Sequence, residues 1–179
     1  MKLNDDDLIK RLEAAIFCSD TPISVDKMKQ TILAEYRISA KRIKSALSTL
    51  GEHYENRGVN LVKVASGYRF QASESVAGQM GYLWQERPAR YSRALLETLV
   101  LIAYKQPITR GEIEEVRGVG VSTNIIRTLS ERNWIKVVGH KEVPGRPSLF
   151  GTTNAFLDYF GLSNLAQLPQ LIEPESLDT

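Results

Sequence analysis

The residue types that most often do chemistry are few and scattered in this chain of 179 residues. It has one cysteine, Cys18, and two histidines, His53 and His140, so no thiol or imidazole cluster has metal-site spacing. The string Gly118-Val119-Gly120 is superficially similar to a phosphate loop, but it follows a predicted helix and lacks the third glycine. We therefore expect no enzymatic activity, no cofactor and no metal. We expect Cys18 to lie in the core.

Three glutamates lie close together, Glu112, Glu114 and Glu115, and they could form an acidic cluster. Thr109 and Glu112 have the spacing of a capping box, in which the carboxylate accepts from the amide of the N-cap residue. We expect Glu112 to cap a helix and the other two carboxylates to be solvated.

Clustered basic residues make nucleic-acid binding one candidate function of this chain. Lys41, Arg42 and Lys44 begin the third predicted helix, which in a helix-turn-helix protein reads the major groove. They are either possible nucleic-acid contacts or a solvated face. The corresponding helix of the second half, 122–131, offers only Arg127 to base edges and phosphates. We therefore expect DNA contact to be weak at most.

Arginines and aromatic residues of the second half are candidates for binding a protein partner. The arginines either hold a β-hairpin to the helices by forked hydrogen bonds or dock acidic side chains of a partner. The aromatic residues, together with Trp84, either anchor an interface or complete their own small cores. The predicted partner-binding residues are Arg93, Tyr104, Arg110, Arg117, Arg146 and Tyr159.

The composition is that of an ordinary globular protein. It is 42% hydrophobic and 25% charged, with a formal net charge of +2. The start, from Met1 to Asp7, lacks the apolar run of a signal peptide. No uncharged apolar stretch approaches the roughly 20 residues that span a bilayer. We expect a cytoplasmic protein that does not contact the membrane.

Helices and strands must position these residues, and the second half shows their order best. An apolar stripe predicts a helix that ends before Pro107, and Thr109 and Ser122 are predicted to cap two more helices. Runs of β-branched and aromatic residues at 134–138 and 148–152 then predict a hairpin with a long loop. Three helices followed by a hairpin are the winged-helix arrangement. The stripe consists of Leu95, Leu99, Ile102 and Ala103.

The first half repeats this order. Pro22-Ile23-Ser24 corresponds to Pro107-Ile108-Thr109, which is a period of 85 residues. Three predicted helices precede strand-like runs at 61–65 and 68–72, with Ser66-Gly67 expected as a two-residue turn. The predicted fold class is therefore α+β, mainly α, with two winged-helix domains in tandem.

The predicted domain boundary lies in a charged linker that contains Pro88. The N-terminal domain is expected over 1–86, including a trailing helix at 73–84, and the C-terminal domain over 87–169. The tail, 170–179, is acidic and is expected to be disordered.

Several uncommon strings occur in a fixed order in the second half, and over roughly residues 90–169 the chain closely resembles bacterial segregation and condensation protein B. The first half is similar to that family only in layout and length. The strings are Arg90-Tyr91-Ser92-Arg93, Leu96-Glu97-Thr98-Leu99, Ala103-Tyr104-Lys105-Gln106-Pro107-Ile108-Thr109-Arg110, Arg117-Gly118-Val119, Gly145-Arg146-Pro147, Thr152-Thr153 and Phe160-Gly161-Leu162.

The resemblance implies a non-enzymatic adaptor with tandem winged helices. It implies homodimerisation, which we expect through the N-terminal domain. It also implies binding to the kleisin subunit, segregation and condensation protein A, and through it to the SMC subunit of a complex that condenses and segregates chromosomes. A nucleoid-associated cytoplasmic location follows from that role. The alternative function is a winged-helix transcriptional regulator that binds DNA.

Overall fold

The computed structural model describes residues 3–83 and 91–170 of the chain. The first unit contains three helices and an antiparallel hairpin, followed by a short helix and a 3₁₀ turn. In chain order these are α1 (Asp5–Phe17), α2 (Val25–Gln30), α3 (Ala40–Tyr54), β1 (Val59–Val64), β2 (Gly67–Ala72), α4 (Glu74–Met80) and the 3₁₀ turn Gly81–Leu83.

The second unit has the same order of helices and hairpin, with one additional short strand. Its strands form an antiparallel sheet in the order β3-β5-β4. The elements are α5 (Arg93–Lys105), β3 (Ile108–Thr109), α6 (Arg110–Arg117), α7 (Thr123–Glu131), β4 (Ile135–His140), β5 (Ser148–Thr152), α8 (Asn154–Tyr159) and the 3₁₀ turn Leu165–Gln167.

The predicted fold class is confirmed, because three helices and a hairpin occur in each half. The caps show the same repeat: Ser24 accepts from an amide at the start of α2, and Thr109 does so at the start of α6. Ile23 bridges to Tyr68 of the first hairpin, just as Ile108 pairs with the second hairpin through β5. The apolar residues four positions after each cap, Met28 and Ile113, are fully buried.

Each unit has its own hydrophobic core, built from helix faces on which apolar residues recur every three or four positions. The first core includes Leu8, Leu12, Ile16, Met28, Ile43, Leu47 and Leu50. The second includes Leu95, Leu99, Ile102, Ile113, Leu129, Trp134 and Phe156. Ala65, in the turn of the first hairpin, packs against the second core.

The turn of the first hairpin is one residue earlier than predicted. Val64 pairs with Gly67, so the two turn residues are Ala65 and Ser66. Gly67 belongs to β2, at a φ of +148°. A Cβ at this position would lie 2.3 Å from the carbonyl carbon of Ile23, so glycine is needed for a close backbone approach and not for the turn.

The prediction that Cys18 lies in the core is wrong. The helix α1 ends at Phe17, and Cys18 is its exposed C-cap. The buried positions of α1 are Leu8, Leu12 and Ile16, and the next residue on that face would come after the helix has ended.

The predicted trailing helix is shorter in the structure. α4 ends at Met80 and not at residue 84. Tyr82 and Leu83 follow in the 3₁₀ turn and are largely exposed. Trp84, the linker with the predicted domain boundary, and the tail after Gln170 lie outside the described residues, so those predictions remain predictions.

Candidate protein-binding groove

The helix α5 is apolar on two faces. Leu99 and Ile102 are buried in the core of the second unit. Leu96, Val100 and Tyr104 recur every four residues on a different face, where Leu96 is 38% and Val100 43% exposed. One apolar stripe is enough to pack a helix on its core, so the second apolar face of α5 is a candidate for a further contact.

A groove of about 520 Å³ runs along this outward face. One side is formed by Phe156 of α8 and by Phe160, the C-cap residue of that helix, which is 43% exposed. The other side is the chain after α8. We call residues 162–169 the wall segment, because Leu162, Gln167, Leu168 and Pro169 line the groove.

The wall segment is held at its far end by Tyr104, whose hydroxyl donates to the carbonyl oxygen of Pro169 at 2.5 Å. Leu162 and Leu168 pack against the second core, whereas Leu165 between them is 39% exposed. Tyr104 is thus a lining residue of the groove and also a tether for the segment that closes it.

An ion-pair network lies next to the groove on α5. Glu97 accepts from Arg93 Nε at 2.7 Å and from Arg117 Nη2 at 3.1 Å. These hydrogen bonds, the one from Arg93 first, lower the pKa of the Glu97 carboxyl below its usual value. Arg117 also donates to Thr98 Oγ1 and is almost fully buried, so it joins α6 to α5. Arg93 is almost fully exposed, so it can contact a partner.

Arg110 joins α6 to the next helix. Its Nε donates to Glu114 Oε1 at 2.9 Å, and its Nη1 donates to Thr123 Oγ1 at 3.3 Å. Glu114 also accepts from the amide of Val121 at 2.9 Å, and this bond is the main cause of its lowered pKa. The expectation that Glu114 is merely solvated was therefore wrong, because its carboxylate fixes the turn between α6 and α7.

The wing, defined as β4, β5 and their loop 141–147, is tied to the helices by Lys141. Its Nζ donates to Glu112 Oε1 at 2.6 Å, while Glu112 completes the predicted capping box with Thr109. The Lys141 ammonium and the Thr109 groups together lower the pKa of Glu112 to about 2. Arg146 pairs with Glu142 within the loop itself at 2.8 Å. The contact between the wing and the helices is thus made by Lys141. The sequence had suggested the arginines for this role, as one of two alternatives.

Tyr159 belongs to an aromatic cluster beside the groove. Its ring lies 4.6 Å from that of Trp134, and its hydroxyl is 3.1 Å from the hydroxyl of Tyr91. This hydrogen bond raises the pKa of Tyr159. Arg132 lies over the rings of Tyr91 and Trp134 at 4.8 and 5.5 Å. The cluster completes the end of the second core and leaves Tyr159 half-exposed.

The candidate nucleic-acid residues of the first unit divide into two kinds. Arg42 is engaged within the unit, since its Nε donates to Asp5 Oδ1 at 2.8 Å and its Nη2 to the carbonyl oxygen of Leu3 at 2.6 Å. Lys41 and Lys44 are exposed on α3. Only these two lysines of the predicted cluster point to solvent.

A family model described as "Segregation and condensation complex subunit ScpB" matches residues 10–171. The chain belongs to this family. The segregation and condensation protein B homolog of Coxiella burnetii is 54% identical over 167 residues, covering 93% of this chain and 80% of that protein. Segregation and condensation protein B of Syntrophotalea carbinolica is 37% identical over 164 residues, covering 90% and 81%.

A solved structure from the same family is also similar. ScpB from Mycobacterium tuberculosis is 31% identical, and the alignment covers 90% of this chain and 99% of that one, with a TM-score of 0.42. Among residues 3–83 and 91–170, this ScpB-family chain has no helix long and apolar enough to cross a membrane. The same residues contain no group of three or more metal-ligating side chains.

The predicted partner-binding residues of this ScpB-family chain do not form one site. Tyr104 lines the groove, and Arg93 and Arg117 share Glu97 beside it. Tyr159 lies next to the groove residue Phe160 without lining the groove itself. Arg110 and Arg146 lie on other parts of the second unit. The sequence interpretation missed Leu96, Val100 and Phe160, although the recurrence of apolar residues at 96, 100 and 104 is a signal for them.

Proposed function

We propose that this chain is a non-catalytic subunit of a bacterial complex of SMC and kleisin proteins that condenses and segregates chromosomes. Its membership in the ScpB family supports this proposal, because the family is described as a subunit of the segregation and condensation complex. The role places the protein in the cytoplasm, associated with the nucleoid. We also propose that its two units are separate domains, divided near residue 86.

The groove beside α5 is the proposed site for a segment of the kleisin. Its lining is apolar and partly open, with Leu96, Val100 and Phe160 each about two-fifths exposed. Contiguous exposed apolar side chains of this kind are typical of protein-binding surfaces. Arg93 is exposed beside them, which suits a segment that combines apolar anchors with an acidic side chain. The groove is the observation on which the proposal depends.

Homodimerisation is proposed to use the first unit. Large apolar side chains are strongly exposed there: Phe17 is 77%, Tyr82 88% and Leu83 70% exposed. Stable protein interfaces bury about 1,600 Å² in total. A second copy of the chain would cover these side chains and supplement two small cores.

The geometry of the basic residues does not favour DNA reading as the main function. Arg127 on α7 donates to Asn124 Oδ1 at 2.6 Å and lies 3.7 Å from Glu131. Arg42 on α3 is bound to Asp5 and Leu3. A recognition helix presents several donors to base edges and phosphates, whereas α7 has Arg127 as its single Lys or Arg and α3 has Arg42 bonded to Asp5 and Leu3.

Substituting a charge into the groove tests the kleisin proposal. We expect Val100→Glu to weaken binding of the purified cognate kleisin by tenfold to about a hundredfold, because a buried carboxylate without a partner opposes association. Isothermal titration calorimetry measures the dissociation constant, and circular dichroism checks that the variant is folded.

Val143→Glu is the matched control, because Val143 is 41% exposed in the wing loop, away from the groove, against 43% for Val100. We expect this variant to bind the kleisin as the wild type does. Equal affinity of the wild type, Val100→Glu and Val143→Glu for the kleisin would show that the groove is not the binding site.

A further inference from the structure

The turn of the first hairpin is bonded to the second unit at the point where α8 ends. The amide of Ser66 donates to Asp158 Oδ1 at 2.9 Å, and the amide of Ala65 donates to the carbonyl oxygen of Leu162 at 3.0 Å. The hydroxyl of Ser163 donates to the carbonyl oxygen of Lys63 at 2.9 Å. We call these three hydrogen bonds the clasp.

The clasp bonds the same stretch of chain that forms one side of the groove. Leu162 accepts a clasp bond and also lines the groove, and Ser163 begins the path to Leu168 and Pro169. The far end of this wall segment is held by Tyr104. The wall segment is therefore fixed at one end by the first unit and at the other end by α5.

We propose that Asp158 is a positioning residue that couples the two units to the groove. Its carboxylate holds the turn of the first hairpin against α8. Once it is docked there, the hairpin turn also holds the start of the wall segment. The width of the groove then depends on whether the first unit is docked. This inference concerns the chain itself and does not require that the groove binds the kleisin.

The chemistry of the contact explains why a carboxylate suits this position. Asp158 accepts from a backbone amide, and a hydrogen bond to a charged acceptor is stronger than one between neutral groups. An acid in the last turn of a helix is otherwise unfavourable, because the helix dipole is negative there. Loss of the carboxylate does not weaken α8 itself, since alanine is the better helix former.

Hydrogen–deuterium exchange of the full-length protein, read by NMR, tests the coupling. We expect Asp158→Ala to speed exchange of the amides of Ser66, Leu162 and Leu168 about tenfold or more, while amides of α5 such as Ile102 keep their protection. Unchanged exchange at Leu162 and Leu168 would overturn the inference, whether or not Ser66 changes.

Three further variants separate the clasp from a general loss of stability. Asp158→Asn keeps an oxygen acceptor but loses the charge, so its exchange is expected to lie between the wild type and Asp158→Ala; exchange as fast as in Asp158→Ala would overturn the inference. Glu115→Ala removes an exposed carboxylate from α6 and should change none of these amides. Should Asp158→Ala also expose α5, Ser163→Ala decides: faster exchange limited to the wall segment supports the coupling, and no change overturns it.

Discussion

At the scale of single residues, Glu112 joins the start of α6 to the wing. Its carboxylate accepts from the amide and hydroxyl of Thr109 at the start of α6, each at 2.8 Å, and from Lys141 in the wing loop at 2.6 Å. The cap is local and needs only residues three apart. The contact with the wing joins residues 29 positions apart, so it exists only in the folded chain.

We expect the stability that Glu112 contributes to depend on pH. Its pKa is lowered from 4.5 to about 2, chiefly by Lys141 and then by Thr109, so the native state binds fewer protons than the unfolded state between these values. The contribution is complete above about pH 5 and is lost as the pH falls through about 2. We expect Glu112→Gln, which keeps a capping side chain, to lower the free energy of unfolding at pH 7 more than at pH 3, as measured by urea denaturation.

Glu115→Gln is the control for this experiment, since Glu115 is exposed on the same helix and has no hydrogen bond or ion pair among the described residues. Its effect should stay within about 0.5 kcal/mol at both pH values. A difference between wild type and Glu112→Gln that is equal at pH 3 and pH 7 would contradict the assigned role of the charge.

At the scale of elements, each hairpin is joined to the segment that precedes the second helix of its unit. In the first unit, Ile23 and Tyr68 exchange two backbone hydrogen bonds of 3.0 Å. Gly67 lies directly over this contact, where no side chain has room. The hairpin therefore packs on the helices by a close backbone approach that one glycine allows.

Gly67→Ala should destabilise the protein by about 2 kcal/mol or more. The new Cβ would lie 2.3 Å from the carbonyl carbon and oxygen of Ile23, at a φ of +148° that side chains rarely adopt. Chemical denaturation followed by circular dichroism measures the change in unfolding free energy.

Gly51→Ala provides a control of opposite sign. Gly51 lies within α3 with nothing within 4 Å of a Cβ, so alanine should stabilise the protein by about 0.5–1 kcal/mol. A Gly67→Ala variant that is as stable as the wild type, or more stable, would show that the approach of Ile23 to Gly67 does not limit the packing.

At the scale of the whole molecule, two small cores are joined by the docked turn of one hairpin. The first unit exposes Phe17, Tyr82 and Leu83, and the second exposes Leu96, Val100 and Phe160. These two sets of exposed apolar side chains belong to different units. We have proposed a second copy of the chain as the contact of the first set and the kleisin as the contact of the second.

Light scattering after size-exclusion chromatography tests the dimer. We expect a mass of twice the 20.1 kDa of one chain at micromolar concentration. Tyr82→Glu should shift the mass toward that of a monomer, because it introduces a charge at a residue that is 88% exposed in one copy. Phe160→Glu, in the second unit, is the matched control and should leave the mass unchanged.

A mass of 20.1 kDa for the wild type would contradict dimerisation. A dimer that both variants leave intact would exclude Tyr82 from the interface without affecting the groove proposal.

The sequence by itself determined the elements and their repetition. Caps such as Ser24, Thr109 and Ser122 act on amides three residues away, and the apolar stripes have a fixed period, so local rules are sufficient for them. Its strings from Arg90 to Leu162 also carried the family resemblance, which the family comparison confirmed.

Tertiary structure alone decided which residues meet. The groove brings α5 together with residues more than fifty positions away, and the clasp joins Ser66 to Asp158 across 92 positions. No local spacing encodes such distant pairs, because they depend on how finished elements pack. The same reason explains the first hairpin turn, because the approach of Ile23 decided the place of Gly67. Cys18 is exposed for a local reason, since α1 ends one residue before it.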